Sequence, residues 1–399
     1  MSTERVESGN SERWQGALLL ALLTWLLVAA AYRAAPFCQP GQTMGDFGVF
    51  YAAAQHLNIR EPIYRLPVDT SYCYSPLLAE LLRPLAHLST GVARRIWFAI
   101  ETISLLLAVA SYARAVGLRL SHAALIAIIL IVGFRTTTAT MECFCGQSNF
   151  IVVAFFCAAV LADSRGKLRT VAILIAVAAL IKVWMLGLVI YLALRRAWKE
   201  VCVAILAYAA SIVFLFILVG WREFLTFIRI VSGCAGLVRG VNAFSFPGYA
   251  RVYLLGPHFG PHLIAYLAFI LVGAIMVGGG LVYLARTVPG ATPTQRRLQM
   301  NITALSLLLM LPACEYYYYL LALPALWELI ISGNDGARRR PTAIFIGAIL
   351  VYILLSHNWS FLPMRVEFLA GIALWAFSLG ALVASRRRSR VNAAAMAAG

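Results

Sequence analysis

Asp46, in Gly45-Asp46-Phe47, is the carboxylate in this sequence best placed for proton transfer. Acids are scarce, 16 against 33 Lys and Arg in 399 residues. This one follows the first long apolar run, residues 14–32, which is long enough to cross a hydrocarbon core of about 30 Å. It therefore stands at a membrane–water boundary, where a carboxylate is costly unless it is paired, solvated or used. Two uses fit. It can take a proton from a reacting hydroxyl, or it can cap the apolar helix that begins at Phe47 by accepting backbone N–H bonds. No second acid lies at Asp-x-Asp spacing, so neither a metal nor any other cofactor is expected.

Other polar residues fall where they could serve the same centre. Lys182 is a cation between two apolar runs, far from an easy route to water. Arg251, Arg135 and Arg239 are further cations on the same side, and the last two read more simply as interfacial arginines. Glu142, Gln147 and Asn149 form a polar group whose donors and acceptors suit ligand hydroxyls or a helix–helix contact equally. Tyr72, Tyr74 and the run Tyr316 to Tyr319 fit an interfacial aromatic belt or a stacking face. Glu315 is an acid at the start of a late apolar run, and His357 and Glu367 flank the last outer turn.

The elements that must position these groups are membrane spans. With 62% hydrophobic and 12% charged residues and a mean hydropathy of +0.84, the chain is a polytopic membrane protein and not a soluble domain. Its net charge of +17 does not indicate nucleic acid. The basic residues fall in short clusters between apolar runs, which is a topology signal. Placing the clusters at Arg114/Arg119, Arg165/Lys167/Arg169, Arg195/Arg196/Lys199, Arg286/Arg296/Arg297, Arg338 to Arg340 and Arg386 to Arg390 inside predicts roughly twelve spans with both termini cytoplasmic. These are residues 14–32, 96–112, 123–134, 150–162, 170–181, 183–194, 201–220, 263–285, 301–311, 316–331, 342–355 and 367–385. Residues 170–194 are read as a hairpin turning near Lys182, since a single helix there would throw the flanking basic clusters to opposite sides. Residues 1–390 form one domain on this reading, and the Ala-rich stretch 391–399 is expected to be a disordered tail. The longer polar segments then all lie outside. Among them, Cys38 and Cys73 stand where an oxidising compartment permits a disulfide, and their pairing stays open. No phosphate loop, His-Glu-x-x-His, Cys-x-x-Cys pair or Gly-x-Ser-x-Gly element occurs.

The outer segments resemble a known family. Gly45-Asp46-Phe47 with its aromatic and alanine helix, Pro62-Ile63-Tyr64, and Tyr72-Cys73-Tyr74-Ser75-Pro76 resemble the opening of glycosyltransferase family 87. Gly146-Gln147-Ser148-Asn149, Ile181-Lys182, Asn242 through Arg251, and Glu315-Tyr316 with Pro324 resemble its later motifs in order. The chain departs from the family's pattern in carrying Val183-Trp184 where a proline usually follows the lysine. The resemblance implies an all-α polytopic fold of C-type glycosyltransferase architecture, with about 12 transmembrane helices and amphipathic outer helices in the first loop. It implies inverting transfer of a sugar, mannose or a related one, from a polyprenyl-phosphate donor to an extracytoplasmic lipid or glycan acceptor. Asp46 would be the general base, and Lys182 and Arg251 would hold the donor phosphate. Tyr72, Tyr74, Glu142, Gln147, Asn149, Asn242, Glu315 and Tyr316 would meet sugar or acceptor. The partners implied are the lipid-linked donor, the acceptor and membrane lipids, with no nucleic acid. The enzyme would sit in the inner (plasma) membrane with its active site on the periplasmic or extracellular side. A lipid-linked saccharide flippase or transporter, and an O-antigen-ligase-like polysaccharide ligase, are the competing readings. Polar groups gathered on one side and the lack of an internal repeat favour the transferase over a transporter.

Overall fold

The computed structural model describes residues 45–64, 72–118, 137–236, 245–251, 263–287, 291–311, 314, 316–333 and 366–398. The expected spans 14–32, 123–134 and 342–355 lie outside the described residues, as do Cys38, Arg135, Arg239 and His357. The described elements are helical. In chain order they are α1 Gly45–Asn58, α2 Pro76–Leu82, α3 Thr90–Val116, α4 Thr137–Cys145, α5 Asn149–Ser164, α6 Leu168–Ile181, α7 Val189–Leu194, α8 Trp198–Val219, α9 Trp221–Gly236, α10 Phe246–Ala250, α11 Leu263–Thr287, α12 Pro293–Met310, α13 Leu323–Gly333 and α14 Val366–Ala398. Tight 3₁₀ turns occupy Val183–Leu188 and Tyr316–Ala322.

Four of these helices, α3, α8, α11 and most of α14, are long and apolar enough to cross a membrane. The chain is thus an integral membrane protein. Burial sorts the helices by position. α5 is buried along most of its length and packs against α3 on one side and α6 on the other. α8 and α11 instead expose large apolar side chains such as Leu206, Ile217, Ile264 and Ile275, the pattern of a lipid-facing surface.

The segment after α5 doubles back. α6 has 14 residues, a rise of about 21 Å, which is less than a bilayer core. It ends at Lys182, where the backbone turns extended, and the chain returns through the 3₁₀ turn and α7. Asp163, just before the segment, accepts a hydrogen bond from Arg195, just after it, at 2.6 Å. The two flanking basic clusters therefore share one side of the molecule, with Lys182 at the far end of the excursion.

Two segments differ from the sequence expectation. Arg297 was expected among the loop cations, yet it lies inside α12 and is buried. A capping box between Thr292 and Gln295, with Pro293 at the first position, starts this helix well before the apolar run. The Arg297 guanidinium then pairs with both oxygens of Glu328 on α13, at 3.0 and 3.1 Å, and Tyr112 of α3 donates to the same carboxylate at 2.7 Å. The second difference is the C-terminus, where α14 continues through the Ala-rich stretch after Arg390. Alanine's helix propensity accounts for the continuation.

Candidate active site

Two glycines let separate parts of the chain meet. Gly45 opens α1 and Gly146 turns the chain between α4 and α5, both with positive φ (52° and 64°) that side chains rarely adopt. They also face each other's helices closely. A Cβ on Gly146 would stand 2.7 Å from Phe47 Cβ, and one on Gly45 would stand 2.9 Å from the Cys145 carbonyl oxygen. From behind, α3 fixes this turn: Trp97 donates its indole N–H to the Gly146 carbonyl at 3.0 Å, and Arg94 donates to the Phe144 carbonyl at 3.1 Å. The Trp97 ring in turn packs against Phe47 and Phe50 of α1.

The contact brings Asp46 and Gln147 together. Asp46 lies in the first turn of α1, and its carboxylate accepts a hydrogen bond from the Gln147 side-chain amide. The other end of that amide accepts from Lys182 Nζ at 2.9 Å and from the Tyr74 hydroxyl at 3.1 Å. Lys182 Nζ also donates to the Tyr74 hydroxyl at 3.0 Å, closing a triangle of three side chains. Ser75 donates to the Leu180 carbonyl, which ties the start of α2 to the end of α6 and holds Tyr74 beside the ammonium. The Tyr74 and Tyr318 rings stand 4.5 and 4.9 Å from Lys182 Nζ, within cation–π range. Trp184 packs on Tyr318 at 5.3 Å between ring centres and extends this aromatic wall.

Glu142 and Asn149 pair with each other beside the triangle. The Glu142 carboxylate accepts from the backbone N–H groups of Asn149 and Phe150 and from the Asn149 amide at 2.8 Å. It thereby caps the N-terminus of α5, which Ser148 leaves without a side-chain cap. Burial pushes the Glu142 carboxyl up to about 7, although the Asn149 amide and the Lys182 charge pull it down. Tyr72 is likewise committed locally: its hydroxyl donates to the Ser75 carbonyl at 2.6 Å and accepts from the Ala79 N–H at 3.1 Å. Burial raises that phenol well above its usual range, so it stays neutral.

Of the residues singled out in the sequence, Asp46, Tyr74, Gln147 and Lys182 thus form one bonded set. Arg251 stands half-buried at the end of α10, which packs on α11 and α12, and no described contact joins it to Lys182. Asn242 and Glu315 lie outside the described residues, as do the side chains of Tyr316 and Glu367. Trp97, Ser75 and Trp184 were missed as positioning groups. Ser75 and Trp184 flank named candidates in the chain, whereas nothing in the sequence marks Trp97.

Chemically, the set holds a carboxylate and an ammonium one amide apart. The intervening Gln147 bonds both and so keeps each oriented without a direct ion pair between them. A family model described as Glycosyltransferase family 87 matches residues 72–312. The match takes in Tyr74, Gln147, Lys182 and Arg251 and begins after Asp46. No curated protein matches the chain.

Proposed function

The chain belongs to glycosyltransferase family 87, and from that premise we propose that this membrane glycosyltransferase moves a sugar from a polyprenyl phosphate to a hydroxyl of a lipid or glycan acceptor. Mannose or a related sugar is the donor group. The observation that carries the reading is the single amide of Gln147 with Asp46 at one end and Lys182 at the other.

Asp46 takes the proton from the acceptor hydroxyl as that oxygen attacks the anomeric carbon. The bond from the anomeric carbon to the phosphate oxygen breaks, and the polyprenyl phosphate leaves with the electron pair. Attack comes from the face opposite the leaving group, so one displacement inverts the anomeric centre, and one carboxylate suffices where hydrolysis needs two. Lys182 meets the charge that develops on the departing phosphate. Arg251 supplies a second cation from α10. Tyr74, and the wall of Tyr318 and Trp184, give the sugar a flat face to rest on, with the outer residues Asn242, Glu315 and Tyr316 completing the acceptor side.

The hairpin supports an outward-facing site. The Asp163–Arg195 bond gathers two basic clusters at one end, and short basic loops stay cytoplasmic. Lys182, at the opposite end, supports a centre facing the periplasm or exterior of the inner membrane.

The test is purified protein in liposomes, supplied in turn with a panel of polyprenyl-phosphate sugars. Wild type transfers one of them. Asp46→Asn keeps an oxygen to accept from Gln147 and therefore folds, but transfers the sugar about 10²–10⁴-fold more slowly. Folded Asp46→Asn protein with wild-type turnover overturns the assignment.

A further inference from the structure

At the far end of α1 the protein has a polar recess. A cleft of about 430 Å³ opens between the end of α1, the end of α2 and the α8–α9 junction. That size suits a small ligand or a lipid head group. Asp46 and Asn58 are twelve residues apart on one helix, about 18 Å, so this recess is not part of the transfer centre.

Its walls are charged and held in place. Arg60 and Arg83 face Glu61, Glu80 and Glu223 around the cleft. Arg83 donates to Asn58 at 3.1 Å and to Glu80 at 3.1 Å. The Glu223 carboxylate accepts from the backbone N–H groups of Ile63 and Tyr64, both at 3.1 Å. Arg60 has φ of 59°, left-handed backbone that a glycine or asparagine normally takes after a helix.

The location is as informative as the lining. Leu218, on the cleft wall, ends the apolar span α8, whose Phe214 and Ile217 are also exposed. Gly220 then turns the chain into α9, which leaves Trp221, Leu225 and Ile228 exposed at i, i+4 and i+7, one helical face. An apolar span followed at once by such a helix marks the lipid–water boundary. A lipid whose tails lie along Phe214 and Ile217 would thus present its head to the arginines and carboxylates.

We propose that this cleft binds the uncharged sugar head group of a membrane glycolipid. Three carboxylates against two guanidiniums suit hydroxyls, which donate to the former and accept from the latter, and would repel a phosphate. The assignment holds whether or not Asp46 is a base.

The full-length protein in lipid nanodiscs is photolabelled with a diazirine-bearing alkyl maltoside, and the labelled peptides are located by mass spectrometry. Labelling falls on the peptides around Leu57–Pro62 and Leu218–Glu223. Dodecyl maltoside displaces it and dodecylphosphocholine of the same chain length does not. Arg83→Gln and Arg60→Ala, both on exposed positions, each weaken labelling about tenfold, the worth of one hydrogen bond to a charged group. Asp46→Asn labels as wild type, so failed transfer and a failed cleft are told apart. Equal competition by the phosphocholine lipid, labelling elsewhere, or unchanged labelling in both arginine variants overturns the proposal.

Discussion

Replacing Gln147 by Glu puts a second carboxylate where an amide now separates Asp46 from Lys182. The side chains are nearly equal in size, so the packing between α1 and the Gly146 turn is kept. What changes is the charge facing Asp46. The Gln147 N–H donor is lost, and a carboxylate oxygen takes its place within hydrogen-bond reach. Two such charges about 3 Å apart repel by roughly 5 kcal/mol at an effective dielectric of 20. Lys182 does not relieve this at Asp46, because its Nζ, 2.9 Å from the far end of residue 147, holds the new carboxylate ionised. Solvent at half-buried Asp46 takes up most of the repulsion. What remains disfavours the charged carboxylate at Asp46 in the variant. The sign is fixed: a base that loses its proton only at higher pH moves the acidic limb of kcat/KM upward. The assay is transfer from the preferred polyprenyl-phosphate sugar across the pH range. At a fixed pH on that limb, the rate falls about tenfold per unit, and the alkaline plateau recovers. An acidic limb superimposed on that of wild type would refute the role of Asp46 as base and of Gln147 as its neighbour in catalysis.

Gly146→Ala combines positive φ with a Cβ 2.7 Å from Phe47, so α1 must move away from the turn. Transfer should be lost while circular dichroism retains the helix content; an active variant would show that the Asp46–Gln147 contact is dispensable. Arg297→Ala strands the buried Glu328 and should cost about 3–5 kcal/mol, read as a lower thermal midpoint in detergent. Arg297→Met with Glu328→Leu should recover most of it, and a silent single variant would reduce the pair to a bystander. Thiols introduced at Arg169 and Arg196 should label from the same side of the membrane, and one at Val183 should not share that side. Labelling of the first two from opposite sides would replace the hairpin with a single span.

Much of the site was legible because the membrane makes polar residues expensive. An Asp at the end of an apolar run, a Lys between two of them, and Gly-Gln-x-Asn before another stand out in a chain that is 62% hydrophobic. The basic clusters foretold the excursion at Lys182 by the same logic, and the Asp163–Arg195 bond accounts for it physically. The sequence could not say which candidates touch. Asp46, Tyr74, Gln147 and Lys182 are up to 136 residues apart in the numbering, and their meeting depends on two glycines, one indole and one serine whose reach no local pattern encodes. Nor could periodicity distinguish Glu142, which caps α5, from Gln147, which faces Asp46, because that is decided by the turn at Gly146. Arg297 makes the same point in reverse. Read as one more loop cation, it becomes a core residue because Glu328, held in turn by the Tyr112 hydroxyl, arrives from another helix to satisfy it. Sequence by itself thus determined where charge is costly, and tertiary structure decided which partner makes that cost bearable.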